Sequence, residues 1–118
     1  MTTQEIAARL VELCRQGQYE TAQTELYAED AVSIEPEGNP MSGKVEGLAG
    51  IIAKGHQFQA GVEEFHGGSV SDAIVAGNVF AVTITIDATF KGMGRILMEE
   101  VAAYKVKDGK IIREEFFY

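Results

Sequence analysis

The sequence is poor in cysteine, proline and positive charge, and it contains no tryptophan. Cys14 is the only cysteine, so an internal disulfide and a cysteine-based metal site are excluded. The 10 lysine and arginine residues are outnumbered by 18 aspartate and glutamate residues and form no basic cluster, which argues against nucleic acid as a partner. No apolar run is long enough to cross a bilayer, so no membrane partner is expected.

The remaining composition is typical of a globular protein. Of the 118 residues, 46% are hydrophobic and 24% are charged, and the length is close to that of a common domain. We therefore expect one domain over residues 1–118. The N-terminal segment Met-Thr-Thr-Gln-Glu lacks the basic start and the apolar stretch of a secretion signal, so a cytoplasmic location is expected.

The N-terminal half contains helical patterns. Thr2 and Glu5 have the spacing of a capping box and Gly17 is a typical residue after a helix, so a first helix is expected between them. The segments expected after it are a helix over 19–27, a strand over 30–34, a turn-rich loop over 35–43 and a helix over 45–58. The expected buried side of the third helix carries Leu48, Ile51, Ile52 and Phe58.

From residue 62 onward, β-branched and aromatic residues dominate. The expected strands cover 70–77, 79–90, 95–107 and 110–118, and glycine-containing turns separate them. Helices followed by an antiparallel meander indicate an α+β fold, with the helices on one face of a curved sheet.

The turn between the last two strands determines which side chains share a face. A three-residue loop over 107–109 places Tyr104 beside Ile112, whereas a two-residue turn places Tyr104 beside Arg113. We favour the first register because it joins Tyr104, Ile112 and Phe116 in one apolar patch. Its other cross-strand pairs are Ala102 with Glu114 and Glu100 with Phe116.

Two carboxylates are therefore expected on an otherwise apolar inner surface. The preceding strand contributes the apolar residues Phe80, Val82, Ile84 and Ile86 to this surface. Glu100 and Glu114 would lie among them, and two buried carboxylates raise each other's pKa. This pattern indicates either that the carboxylates transfer protons or that part of the inner face is exposed to water.

Glu35 is the leading candidate for catalysis. It follows Ile34 at the end of a strand and precedes Pro36, so its position is restrained. A Glu35 side chain that faces a cavity between helices and sheet is a candidate general base. A side chain that faces water is an ordinary surface glutamate.

Three short stretches, 26–32, 34–36 with Ser42-Gly43, and 108–111, occur in an order and spacing that resemble a known superfamily. The chain resembles nuclear transport factor 2-like proteins, in particular the SnoaL-like polyketide cyclase and ketosteroid isomerase branches. The resemblance spans nearly the whole chain. It implies a cone-shaped, cystatin-like α+β fold, in which a strongly curved, mixed, largely antiparallel sheet wraps three N-terminal helices and encloses an apolar pocket. It also implies a homodimer formed through the outer sheet face.

The resemblance also implies roles for particular residues. Ketosteroid isomerases use an Asp-Pro base, a Tyr and a protonated Asp, and Glu35 matches the base position. The two oxyanion donors fall on Leu10 and Ala102, which cannot donate. Glu114, beside Ala102 in the favoured register, is the candidate to replace them.

The sequence thus predicts a small-molecule-binding protein, and a cofactor-independent isomerase, cyclase or hydratase that acts on an apolar carbonyl compound. Glu35 would be the base, and Glu114, with Glu100 or His56, would be the acid. The expected pocket lining is Leu10, Ile52, Val82, Ile84, Ile86, Ala102, Tyr104, Ile112 and Phe116. Neither a cofactor nor a metal is expected, because His56, His66 and nearby carboxylates lack compact ligand spacing.

Two alternatives remain open. The missing oxyanion donors favour a non-catalytic ligand-binding or dimerisation module of the same fold. A cone filled by side chains would instead indicate an interaction domain. The surface expected to form the dimer carries Val101, Ala103, Ile111 and Phe117.

Overall fold

The computed structural model describes residues 1–38 and 43–118. Positions 39–42, which contain Pro40 of the expected loop and Ser42 of the family resemblance, lie outside the described residues. The helices are α1 (Thr3–Arg15), α2 (Tyr19–Leu26) and α3 (Leu48–Ala60). The strands are β1 (Tyr27–Glu35), β2 (Gly43–Glu46), β3 (Val62–Val70), β4 (Ile74–Ala76), β5 (Val79–Phe90), β6 (Gly94–Lys107) and β7 (Lys110–Phe117).

Helix α1 begins where its sequence indicates, and its last turn is anchored to the sheet. The Thr2 hydroxyl accepts from the backbone of Glu5, and the Glu5 carboxylate accepts from the backbone of Thr2, which completes a capping box. At the other end, the Arg15 guanidinium donates two hydrogen bonds of 3.0 and 2.9 Å to the Val70 carbonyl oxygen. This contact joins the C-terminus of α1 to the end of β3.

The strands form a sheet in the order β2-β1-β7-β6-β5-β3, and β4 pairs with β5 beside this path. The pairing of β1 with β7 is parallel, and the other pairs are antiparallel. Residues of all three helices pack with the inner sheet face in one hydrophobic core. The predicted α+β fold, with three helices on a mixed, largely antiparallel sheet, is confirmed.

The boundaries differ most from the sequence prediction in β2, β3, β4 and the start of α3, and β1 is longer than expected. In place of one expected strand over 70–77, the structure has the end of β3 and the short strand β4. Most of β3 precedes residue 70, where apolar and polar side chains show little alternation. The segment 43–46, predicted as part of a loop and of helix α3, forms β2 against β1. Helix α3 therefore begins at Leu48, after Gly47 with φ +92°.

The β6–β7 hairpin contradicts both registers considered from the sequence. Asp108 and Gly109 have positive φ values of 51° and 74°, so they form a two-residue turn that matches the right-handed twist of the strands. A bulge next to Val106 then shifts the register by one residue, because β7 accommodates an extra residue there. The observed pairs include Val106 with Ile111, Tyr104 with Glu114, and Ala102 with Phe116.

The two-residue turn changes which isoleucine of β7 is inside, because it pairs Ile111 with the buried Val106. Ile111 is fully buried, whereas Ile112, predicted to face inward, is only half-buried. Glu114 and Phe116 remain on the inner side, as predicted, because the bulge restores the alternation after Ile112. The predicted apolar face of β5 is present, and Phe80 at its start stacks on Tyr104 with ring centroids 4.8 Å apart.

Candidate functional site

A cavity of about 600 Å³ lies between the helices and the inner face of the sheet. Five of the residues expected to line a pocket do line this cavity: Leu10, Ile84, Ile86, Tyr104 and Phe116. Val82 and Ala102 are buried in the core and do not belong to its lining. Ile52 and Ile112 are partly buried and lie outside the lining.

Glu35 lies in the cavity wall at the end of β1, and its side chain is only 12% exposed. Each of its carboxylate oxygens has a partner. Lys54 Nζ lies 3.3 Å from Oε1, and the Tyr118 hydroxyl donates to Oε2 at 2.9 Å. Glu35 is therefore held in the cavity wall by an ion pair and a hydrogen bond.

Lys54 brings a positive charge into this largely apolar cavity. It extends from α3, on the same helical face as Ile51 and Phe58, and its side chain is 13% exposed. Besides Glu35, its ammonium donates to Ser33 Oγ at 2.6 Å and lies 5.2 Å from the centroid of the Phe116 ring. Lys54 was not among the residues expected at the pocket, although its spacing of three residues from Ile51 places it on the same helical face.

Ser33 links Lys54 to a buried carboxyl group. The parallel pairing of β1 with β7 sets Ser33 beside Glu114. Ser33 Oγ donates to Glu114 Oε2 at 2.6 Å, and the Tyr27 hydroxyl donates to Oε1. The hydrogen bonds therefore run from Lys54 through Ser33 to Glu114, with Tyr27 on its far side.

The burial of these groups changes their acidity. Glu114 is 3% exposed, and burial raises its pKa, while the hydrogen bonds from Ser33 and Tyr27 oppose that rise. Burial, together with the Glu114 charge, also raises the pKa of the Tyr27 hydroxyl well above its usual value. Tyr27 therefore acts as a neutral donor to Glu114 at ordinary pH.

Glu100 is the third carboxyl group of the cavity wall. It lies on β6, and no residue within 1–38 or 43–118 forms a hydrogen bond or an ion pair with its carboxyl group. Burial raises its pKa to about 7, the charges of Glu35 and Glu114 add to the rise, and Lys54 opposes it. The Glu100 carboxyl group thus exchanges a proton near neutral pH while it faces the cavity.

The histidines lie elsewhere. His56 is exposed and contacts Glu20 on α2, so the expectation that it could point into the pocket is wrong. The His66 ring nitrogen lies 2.7 Å from the Thr89 hydroxyl. Among the residues that the structure describes, no three His, Cys, Asp or Glu side chains are grouped as metal ligands.

The outer face of the sheet is partly apolar. Val101 and Phe117 pair across β6 and β7 and are 41% and 50% exposed. Ile111, which was expected on this face, is fully buried because the two-residue turn pairs it with the inward-facing Val106. In the described part of the chain, no helix has the length and apolar character needed to cross a membrane.

Comparison with known proteins relates this fold to one family. The sequence model of the SnoaL-like domain matches residues 1–118. A candidate SnoaL-like polyketide cyclase of Mesorhizobium loti, also described as a carbohydrate phosphatase, is 39% identical, with a TM-score of 0.93 and complete coverage of both chains.

More distant structures share the fold. A protein of unknown function with a cystatin-like fold from Xanthomonas campestris is 19% identical over 99% of this chain and 90% of its own, with a TM-score of 0.83. TerC, co-crystallised with polyporic acid, is 20% identical over 98% of this chain and 90% of its own, with a TM-score of 0.75. No curated protein sequence matches this chain. The match over its whole length shows that the chain belongs to the SnoaL-like domain family.

Proposed function

We propose that this protein binds a small, largely apolar carbonyl compound in its cavity and catalyses cofactor-independent proton transfer at the carbon next to the carbonyl group. Isomerases, cyclases and hydratases of this kind share that step. The observation that carries the proposal is the presence of Glu35, Glu100, Glu114 and Lys54 in the wall of one largely apolar cavity. Its volume of about 600 Å³ suits a small organic molecule.

The family supports a small-molecule ligand. TerC shares this fold and was co-crystallised with polyporic acid. The apolar part of the lining, which includes Leu10, Ile84, Ile86 and Phe116, would hold the hydrocarbon portion of such a molecule.

We assign Glu100 as the general base. Glu35, the base expected from the sequence, uses one oxygen for Lys54 and the other for Tyr118. Glu100 has no such partner among the described residues, and its pKa of about 7 suits a group that accepts and returns a proton at neutral pH. In this assignment Glu35 positions Lys54, and Glu114 holds Ser33 in place.

The proposed step removes a proton from carbon and later returns it. The Glu100 carboxylate takes a proton from the carbon next to the carbonyl group, and the electron pair of the broken C–H bond moves onto the carbonyl oxygen as an enolate. The protonated Glu100 then returns the proton to the same carbon or to another carbon of the conjugated system. No oxidant, reductant or cofactor is required.

Deuterium exchange tests this step without knowledge of the natural substrate. Apolar ketones and 1,3-diketones are incubated with the protein in D₂O, and loss of the proton next to the carbonyl group is followed by NMR. Glu100→Gln should reduce any catalysed exchange by about 10²–10⁴-fold, which is the usual contribution of a general base. The control is Glu99→Gln, because Glu99 is exposed on the opposite face of β6.

The same assay separates the two candidate bases. Glu35→Gln should lower exchange less than Glu100→Gln, since Glu35 acts through Lys54. Exchange that survives Glu100→Gln and disappears in Glu35→Gln would assign the base to Glu35.

A second candidate function is ligand binding without catalysis. Both oxygens of Glu35 and both oxygens of Glu114 are engaged by protein groups, which favours a rigid polar wall over a reactive one. A ketone that binds in the cavity and shows no exchange above the uncatalysed rate would favour this candidate.

We also propose a homodimer formed through the outer face of the sheet. Val101 and Phe117 are paired and exposed on this face, so a second copy that packs there would remove apolar surface from water.

A further inference from the structure

Within residues 1–38 and 43–118, the partners of the Lys54 ammonium leave one donor for a ligand. An ammonium group offers three N–H donors. One is used by Ser33 Oγ and one by Glu35 Oε1, and no other acceptor within the described residues takes the third. The group lines the cavity and its side chain is 13% exposed, so its environment is largely dry.

The position of this ammonium is fixed by its surroundings. Ser33 is fully buried and donates to the buried Glu114, so the oxygen that receives Lys54 is itself restrained. Glu35 is restrained in turn by the Tyr118 hydroxyl. A cation that is held by two anchored acceptors loses little freedom when it binds a third.

The other charges around the cavity decide which anion fits. Glu35 is paired with Lys54, and Glu114 receives two hydrogen bonds. Glu100 carries a proton at slightly acidic pH, because burial raises its pKa to about 7. One additional negative charge can therefore be accommodated beside Lys54, whereas a molecule with several charges would meet Glu35 and Glu100.

We propose that Lys54 forms an oxyanion subsite. The cavity would then select apolar molecules with one oxyanion group, which is present in the free ligand or forms during the reaction. The inference rests on the proposed function in that it takes the cavity as the ligand site. In catalysis, the enolate oxygen that forms when Glu100 removes a proton would bind the third N–H of Lys54. Lys54 and Glu100 are close enough for the Lys54 charge to lower the pKa of Glu100.

A matched pair of probes tests the subsite without any reaction. The probes are 2-naphthoate, which carries one oxyanion, and 2-naphthamide, which has a similar shape and no charge. Their binding is measured by calorimetry at pH 6.5, where Glu100 is mostly protonated. The wild-type protein should prefer the carboxylate by about 10- to 100-fold, the range expected for a charge-assisted hydrogen bond.

The variants separate charge from packing. Lys54→Met keeps the length of the side chain and should remove the preference for 2-naphthoate, because the affinity for the anion falls much more than the affinity for 2-naphthamide. Lys54→Arg keeps the charge and should retain part of the preference. Lys44→Met is the matched control, because Lys44 is an exposed lysine whose ion pair with Glu46 lies on β2, away from the cavity.

The outcomes distinguish the two proposals. Equal binding of both probes by the wild-type protein, or an undiminished preference in Lys54→Met, overturns the oxyanion subsite and leaves the proposed function standing. A preference that depends on Lys54, with no deuterium exchange in any ketone, supports the subsite and overturns the catalytic proposal. Binding of neither probe overturns both.

The dependence on pH provides a second readout. The charged and titratable groups that interact with Glu100 are Glu35, Glu114 and Lys54, and the Tyr19 and Tyr104 hydroxyls interact with it as well. Tyr19 and Tyr104 stay neutral because burial raises the pKa of each. Affinity for 2-naphthoate should therefore fall as pH rises through about 7 and Glu100 becomes negative. A constant affinity between pH 6 and pH 8 would contradict the placement of the anion near Glu100.

Discussion

Replacement of Glu100 by Gln should make the protein more stable at alkaline pH and leave its stability at acidic pH nearly unchanged. Folding places the Glu100 carboxyl group in the cavity wall, where burial and the Glu35 and Glu114 charges raise its pKa from 4.5 to about 7. The folded protein then holds a proton that the unfolded chain releases. Stability must therefore fall as pH rises from about 4.5 to about 7, and the loss is complete above that range.

The magnitude follows from the shift in pKa. At about 1.4 kcal/mol for each pH unit, a rise in pKa from 4.5 to about 7 corresponds to about 3 kcal/mol. Glu100 is only partly buried, and solvent screens part of this effect, so we expect about 2 kcal/mol. Gln has nearly the same shape and cannot ionise, so the variant should avoid this loss.

Urea denaturation between pH 4.5 and pH 9 measures the effect. The free energy of unfolding of Glu100→Gln should match that of the wild-type protein at pH 4.5 and exceed it by about 2 kcal/mol at pH 8. Glu99→Gln, on the exposed face of the same strand, should follow the wild-type curve. If wild type and Glu100→Gln gave parallel curves over the whole range, the carboxyl group would not be in the environment that we describe.

Two further predictions concern the outer face of the sheet and the polar cluster, which consists of Ser33, Glu35, Lys54 and Glu114. Ser33→Ala removes the donor to a buried oxygen of Glu114 and an acceptor of Lys54. Urea denaturation should therefore show that the free energy of unfolding falls by about 1–3 kcal/mol. An unchanged free energy of unfolding would mean that water replaces the hydroxyl. Val101→Lys adds a charge beside Phe117 on the outer face and should shift the sedimentation coefficient from dimer to monomer. Wild-type protein that sediments only as a monomer at micromolar concentration would refute the dimer.

Local patterns in the sequence were sufficient to predict much of the fold. The capping box of Thr2 and Glu5 correctly predicted the start of α1, and the alternation of apolar and polar residues from Phe80 to Asp87 correctly predicted the inner face of β5. Such signals involve residues that are neighbours in the chain. The whole-length resemblance added the superfamily, and the family match confirmed it.

The hairpin register could not be predicted from the same kind of pattern. The apolar residues of β7 fit an inward face in more than one register, so the sequence does not decide whether the turn places Ile111 or Ile112 in the core. It also gives no sign of the bulge that returns Glu114 to the inner side. Strand β3 was missed over most of its length because Glu63 and Glu64 follow one another and Gly67 and Gly68 have no side chains to alternate.

The polar cluster was hidden for a different reason. Lys54 lies on the inner side of α3, where its long apolar stem is buried. Because the buried face of a helix is recognised in a sequence by its apolar residues, a lysine on that face is not detected. Ser33 and Glu114 meet only because β1 and β7 pair in parallel, and no local feature of either strand indicates that pairing. The sequence left open whether Glu35 faces the cavity or water, and it gave no sign of its partners Lys54 and Tyr118.

The parallel pairing of β1 with β7 implies that Ser33 and Glu114 meet late in folding. Ser33 and Glu114 are 81 positions apart, so their contact closes a loop that contains most of the chain. Closure of such a loop is entropically unfavourable until the intervening strands have formed, and contacts of this kind tend to form late. Partly folded chains would therefore have a core of helices and hairpins but no assembled cavity wall. In this protein, the ability to bind a ligand and the completion of folding would be acquired together.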